Sequence, residues 1–311
     1  MTNTLVIDTS FGSTVGVLGQ EAIVETDSHT HVEKLQVNIA RAVDAAGLNP
    51  MDLDRIVVGV GPAPFTGLRV GIVAAKAIAY ATGAQLLGQD ILEPQTWMMK
   101  LKRQGDSRLK NCDFLNGDGQ STNTEVAHHL TLAVNDARRR ELYFALYADT
   151  QRCLNGRNIG HEPEEETLEP FVSTVVGMDI DYPQHIVERI NQAVNKLDGN
   201  SASTNGTFRI DVVGHGALKY VDAWLGFGHM LGNVIDHSVL DTGAAGLEIF
   251  SECAMLSNGI NSNDPRKAGI GSKINNEGVI KPVEPLYLRR PDVSVPNPLK
   301  HVLNHAGATK A

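Results

Sequence analysis

The sequence predicts an α/β protein built from two related domains, and three patterns point there. A strand-like run at 55–60 ends in Gly61-Pro62-Ala63-Pro64-Phe65-Thr66-Gly67, and an alanine-rich helical pattern follows at 68–81. Strand, Gly/Pro turn, helix is the local grammar of an α/β fold. The chain opens with three short strand-like runs, 4–9, 14–18 and 22–26, separated by turn residues. A similar pattern restarts at 130–135 and 142–148 without obvious sequence repetition, which marks a second half of the same architecture.

Each element has a local reason. Thr30-x-x-Glu33 forms a capping box for a helix whose inner face carries Val32, Leu35, Ile39, Val43 and Ala46. Gly47 is suited to stop that helix and Pro50 blocks its continuation. Thr66 is a natural N-cap for the next helix, with Phe65 and Val70 at staple positions. Residues 85–87 read as a strand, 182–197 as a helix, 208–213 as a strand ending at the Gly214/Gly216 turn, and 242–256 as a helix. A β-meander followed by helix, strand, helix opens each half of the actin/hexokinase-like ATPase fold, two domains each with a mixed sheet flanked by helices. The expected division is a first domain at 1–103, a polar linker or insertion at 104–127, a second domain at 128–290 and a tail at 291–311, with helix 242–256 able to pack back on the first domain. The acidic stretch 161–170 and the Asn/Gly/Ser-rich stretch 257–278 read as loops.

Composition narrows the function classes. At 311 residues the chain has room for two cores. No apolar run is long enough to span a bilayer, and the N-terminal run has no Lys or Arg and is broken by Asp8, unlike a signal peptide. Cys112, Cys153 and Cys253 are odd in number and far apart, which fits a reducing cytoplasm without a disulfide framework or zinc site. The net charge of −9 argues against a protein that grips nucleic acid by itself. Two basic clusters stand out locally: Lys100, Lys102, Arg103, Arg108 and Lys110, and Arg138, Arg139 and Arg140. Both read first as solvated surface, and both are the first candidates for any contact with nucleic acid.

Helix 68–81 lacks a broad polar face: its only charges are Arg69 and Lys76. Gly71, Ala75 and Ala79 form a ridge of small residues at i, i+4 and i+8 on which a second helix could pack closely. A helix buried in its own domain and a helix that also meets another subunit both satisfy this pattern.

Gly61-Pro62-x-x-Phe65-Thr66-Gly67-Leu68-Arg69-x-Gly71 resembles the signature of the bacterial TsaB family, paralogues of the TsaD/Kae1 proteins that make threonylcarbamoyladenosine in tRNA. Ile7-Asp8-Thr9-Ser10, His31, Asn135-Asp136-Ala137-Arg138 with Glu141-Leu142-Tyr143, Val213-Gly214-His215-Gly216 and Glu284-Pro285-Leu286-Tyr287-Leu288-Arg289 resemble further family motifs in the same order. The matches span residues 4–290, and the chain departs from the family in its longer 104–127 segment.

This resemblance implies a non-catalytic, cytoplasmic partner of TsaD, joined by the ATPase TsaE, in transfer of the threonylcarbamoyl group to the adenosine 3′ of the anticodon. Docking would use N-terminal helices, with Arg69, Gly71, Ala75, Lys76, Ala79, His31 and Leu35 as interface residues, and the isolated chain would form a homodimer through the same surface. The fold would place a vestigial nucleotide site at Asp8, Thr9, Asp136, Gly214 and Gly216, with ATP or ADP at the interface of the complex as the only cofactor in view. Pro64 removes a backbone donor from the Gly-rich turn, and Phe11 stands where active ATPases favour small residues. The His-x-x-x-His metal pair of the catalytic relatives falls on Ile91 and Gln95, so neither a metal site nor catalytic residues are expected. His301-x-x-x-His305 lies in the tail beyond every family match. Two other readings stay open, a metal-dependent glycoprotease-like peptidase and a self-sufficient ATPase or kinase of the same fold.

Overall fold

The computed structural model describes residues 2–26, 31–115, 126–149, 172–199, 207–258, 272–274 and 280–288. The first sheet contains β1 (Thr4–Asp8), β2 (Ser13–Val17), β3 (Ile23–Glu25), β4 (Arg55–Gly59) and β5 (Gln85–Gln89), in the order β3-β2-β1-β4-β5. Helices α1 (His31–Ala45) and α2 (Phe65–Thr82) flank it, and α3 (Glu93–Arg103) follows β5. The second sheet contains β6 (Val126–Asp136), β7 (Leu142–Asp149), β8 (Val172–Asp181), β9 (Thr207–Val213) and β10 (Leu231–Ile235), in the order β10-β9-β6-β7-β8. Helices α4 (Pro183–Gly199) and the short α5 (Val221–Trp224) flank it, while α6 (Ala244–Ser257) packs back on β5 and β2 of the first sheet, as the sequence reading allowed. In each sheet a three-strand antiparallel meander continues into two parallel strands. The two halves therefore share one topology, as the restarted pattern predicted. A separate pair, β11 (Ser272–Ile274) and β12 (Ile280–Pro282), is antiparallel.

Strand alternation sorts the side chains into three cores. Leu5, Ile7, Ile56, Val58 and Leu86 face α1 and α2. Leu130, Leu132, Phe144, Ile210 and Val212 face α4 and Trp224 of α5. Val6, Val57 and Leu87 of the first sheet share a cluster with Ala133, Ala145, Tyr147 and Val213 of the second. Trp97, Met98 and Met99 of α3, with Leu247, Ile249 and Phe250 of α6, belong to that same cluster. Helix, sheet, helix pair, sheet and helix thus form successive layers, and α3 and α6 are buried between the sheets. Asn258 at the end of α6 donates to the Gly88 carbonyl at 3.4 Å, and Gln95 of α3 accepts from the Val239 N–H at 2.8 Å.

Several local expectations shift. α2 starts at Phe65 with Pro64 as its N-cap residue, so Thr66 lies in the first turn and does not cap it. Gly83, at φ 75°, ends that helix in a left-handed conformation, its N–H donating to Ala79. Gly47 plays the predicted stop role for α1, at φ 68°. β8, β10 and α3 were not read from the sequence. The first part of the expected linker is packed: Leu109 is buried and the Phe114 ring stacks on His237 at 4.1 Å. Thr30, Cys153, the 161–170 loop, the His301/His305 pair and the tail lie outside the described residues.

In the first basic cluster Lys110 is exposed as expected, but Lys100, Arg103 and Arg108 are not solvated surface. Arg103 makes a two-oxygen contact with Asp149 of β7, at 2.9 Å to each oxygen, and reaches Asp211 of β9 at 3.0 Å. Arg108 is held by Asp106 at 2.9 Å and by Glu252 of α6 at 2.8 Å. Lys100 is buried. These charges fasten α3 and the following turn to the second sheet and to α6.

Candidate functional site

Asp8 ends β1 at the junction of the two halves. Its carboxylate is buried, accepts the Ser10 hydroxyl at 2.7 Å and the Ser10 N–H at 3.2 Å, and lies against Gly59 so closely that a Cβ there would sit 2.0 Å from Oδ1. Burial pushes the Asp8 carboxyl up, against the Ser10 hydrogen bonds and the nearby His215. Thr9 is buried against Gly71 of α2, where an added Cβ would meet its hydroxyl at 2.3 Å. Across the cleft, Asn135 donates to the Pro62 carbonyl at 3.2 Å, tying the second domain to the Gly-rich turn.

Phe11 stacks on His215 with ring centroids 3.9 Å apart, and His215 Nε2 lies 2.9 Å from Asp241. Together with Ile91, Gln95 and Phe250 these residues leave beside Asp8 a cavity of about 20 Å³. That is room for one water and far below the several hundred Å³ of a small-molecule pocket. Gly214 and Gly216 have φ of 125° and 98°, which glycine alone tolerates readily. Their N–H groups are engaged, Gly214 with the Ile235 carbonyl at 2.9 Å and Gly216 with Asp236 at 2.8 Å. Asp136 accepts from the Arg138 N–H at 2.8 Å and faces Lys219 Nζ at 3.3 Å. Of the predicted nucleotide-site residues only Asp8 lines this small cavity, which Phe11, Asn135 and His215 also line; Thr9 packs against Gly71 instead. Gln95 donates to the Ile91 carbonyl at 3.1 Å, so both positions are core. Among the described residues no group of three His, Cys, Asp or Glu side chains could hold a metal ion.

The expected interface ridge needs a correction. Gly71, Ala75 and Ala79 face inward, as does Leu35 of α1, and all four are buried in the first domain's own core. A helix flanking a sheet uses its small residues to approach that sheet, and a ridge alone cannot say which neighbour it meets. Lys76 and Arg69 are engaged as well. Lys76 pairs with Glu284 at 2.9 Å, and Arg69 lies 3.9 Å above the Phe65 ring and hydrogen-bonds the Tyr287 hydroxyl. The segment 283–288 thus straps one edge of α2, with the Leu286 N–H donating to Val60 at 2.8 Å. His31 opens α1.

What α2 turns outward is a different stripe. Val73 is 64% exposed and Tyr80 94%, with Ala77 exposed between them at i+4 and i+7. Val37 of α1 and Met51 of the next turn are also exposed. An open groove of about 600 Å³ runs between α1, the turn at 48–53 and Ile78. Sequence reasoning could have found this stripe, since Val73 and Tyr80 lie on the opposite side of the helical wheel from the small-residue ridge.

Comparison with known proteins bears on both regions. Residues 20–104, which include α1, α2 and the Gly-rich turn, match the family model described as TsaD: tRNA N6-adenosine threonylcarbamoyltransferase. An uncharacterized protein of Mycobacterium tuberculosis is 36% identical over 138 residues, 44% of this chain and 51% of that protein. A tRNA N6-adenosine threonylcarbamoyltransferase of Ruegeria pomeroyi is 38% identical over 66 residues, 21% of this chain and 18% of that enzyme. The chain thus spans about half the length, or less, of these curated relatives. YeaZ from Pseudomonas aeruginosa superposes with a TM-score of 0.52 at 19% identity, covering 93% of this chain and all of that one. The chain has the YeaZ fold. Its two mixed sheets of five strands flanked by helices are those of the YeaZ-like fold. In the described part of this YeaZ-like chain no helix is long and apolar enough to cross a membrane.

Proposed function

We propose that this chain is a TsaB-like, non-catalytic subunit in tRNA threonylcarbamoyladenosine synthesis that docks on a TsaD protein through the outward face of α1 and α2. The observation that carries the reading is the exposed apolar stripe Val73, Ala77 and Tyr80, bordered by Val37 and Met51. Exposed apolar surface of this kind marks an interaction site. A tyrosine almost fully in water is a natural anchor, since its ring adds large contact area and its hydroxyl tolerates the rim. The likeness of residues 20–104 to TsaD supports a paralogous pair that shares one helical surface. The filled cleft at Asp8 supports a supporting role, with any ATP or ADP, and TsaE, engaged by the complex. In isolation the same stripe would pair two copies of the chain.

The test is a pull-down with TsaD of the same organism, using Tyr80→Arg and Val73→Glu. Both positions are exposed, so stability should move by less than about 0.5 kcal/mol. Wild-type binding that both variants lose, with unchanged melting temperature, is the expected result. If the wild type fails to bind TsaD with nucleotide and TsaE added, the proposal is wrong and ATP hydrolysis by the isolated chain is the next assay.

A further inference from the structure

We infer that the β6–β7 tip, Arg138-Arg139-Arg140, is an RNA-phosphate-binding element, an inference that rests on the tRNA-related reading above. All three residues are exposed and follow one another in the left-handed region, at φ 65°, 52° and 67°. Non-glycine residues enter that region at a steric cost, and Asn, Asp or Gly would close such a turn more readily. The turn is fixed at its base. Ala137 N–H donates to Glu141 at 3.1 Å, Glu141 N–H to Arg138 at 3.0 Å, and Arg138 N–H to Asp136 at 2.8 Å. At the same base Lys219 pairs with Asp136 at 3.3 Å and offsets that carboxylate's charge.

Geometry selects the kind of ligand. Successive residues in a left-handed helical conformation rotate by about 100° each, as in the mirror-image α-helix. The three Cα–Cβ bonds therefore leave the tip in different directions, which disfavours a single point-like anion as the shared ligand. A fan of guanidinium groups suits a ligand whose negative charges repeat along a chain, and guanidinium is the preferred phosphate contact. The net charge of −9 makes nonspecific polyanion binding by the rest of the surface unfavourable, so an RNA contact needs a local cationic projection of this kind. Position agrees. Asn135, three residues before Arg138, bonds to Pro62, three residues before α2 begins at Phe65. RNA on the tip would lie near the N-terminal end of the helix proposed to hold TsaD.

The experiment measures binding of a labelled tRNA transcript to the full chain, alone and with TsaD, across a potassium chloride series. The triple Arg→Gln variant should weaken binding on the order of tenfold and reduce the slope of log K against log salt by about 2. The triple Arg→Lys variant keeps the charge and should keep the slope. An unchanged slope in the Gln variant overturns the inference even where TsaD still binds. Loss of TsaD binding by the wild type overturns the docking proposal instead, while the slope measured on the chain alone still decides the tip. Binding of poly-glutamate by the wild type as tight as that of RNA at equal salt would make the partner an acidic protein, and would also overturn it.

Discussion

The two basic clusters hold similar residues and are used in opposite ways. Lys100, Arg103 and Arg108 are drawn inside, where Asp149, Asp211, Asp106 and Glu252 meet them, and they join the central helices to the second sheet. Arg138, Arg139 and Arg140 are pushed out on a hairpin tip. Their sequences give little warning of this. The difference lies in what the fold brings opposite: β7, β9 and α6 present carboxylates to the first cluster from residues about 40 to 150 positions away along the chain. A run of like charge is therefore a statement about surface only after its long-range partners are known.

That contrast can be broken most sharply at Arg103. Arg103→Met leaves buried Asp211 and half-buried Asp149 without their cation, and should cost about 3–5 kcal/mol in urea unfolding. A cost below about 1 kcal/mol would return the first cluster to the surface class. Gly71→Ala forces a Cβ toward the Thr9 hydroxyl and should cost about 1–3 kcal/mol, with TsaD binding kept in the folded fraction. Loss of binding at full stability would restore the ridge as an interface. At the tip the sign reverses: Arg139→Gly relieves a left-handed arginine and should stabilise by about 1 kcal/mol while lowering RNA affinity. A thermal scan paired with the salt series checks both parts.

The smallest effect concerns pH. Burial raises the folded Asp8 pKa above its unfolded value. The contribution of this group to stability is therefore fully present below the ordinary carboxylate range and is lost as pH rises through the folded value. Asp8→Asn does not titrate, so its stability relative to the wild type should improve as pH rises from about 4 toward neutrality. A stability of Asp8→Asn that instead falls relative to the wild type along that path would show that Asp8 is held as a stabilised anion, and would reopen the cleft as a cation site.

Much of the fold was legible because its signals are local. The meander, the Gly-rich turn, the stop at Gly47 and the inner face of α1 follow from period, turn chemistry and capping. β8, β10 and α3 were not, because their side chains are chosen by neighbours distant in sequence. α3 shows it well: Trp97, Met98 and Met99 are consecutive and all buried, since sheets or helices lie on several sides of it. The candidate site divides likewise. The residues around the cleft were named from motifs, yet its closure by the Phe11–His215 stack needs two chain segments about 200 residues apart.

The class of fold, its repeated architecture and the motif positions at which the halves meet can be read along the chain, because backbone preferences and hydrophobic period act over a few residues. Which face of α2 is exposed, which cations meet carboxylates and how much room is left beside Asp8 emerge only in three dimensions. Those outcomes depend on what packs opposite each side chain, and burial, charge pairing and excluded volume are properties of pairs that the chain order keeps far apart.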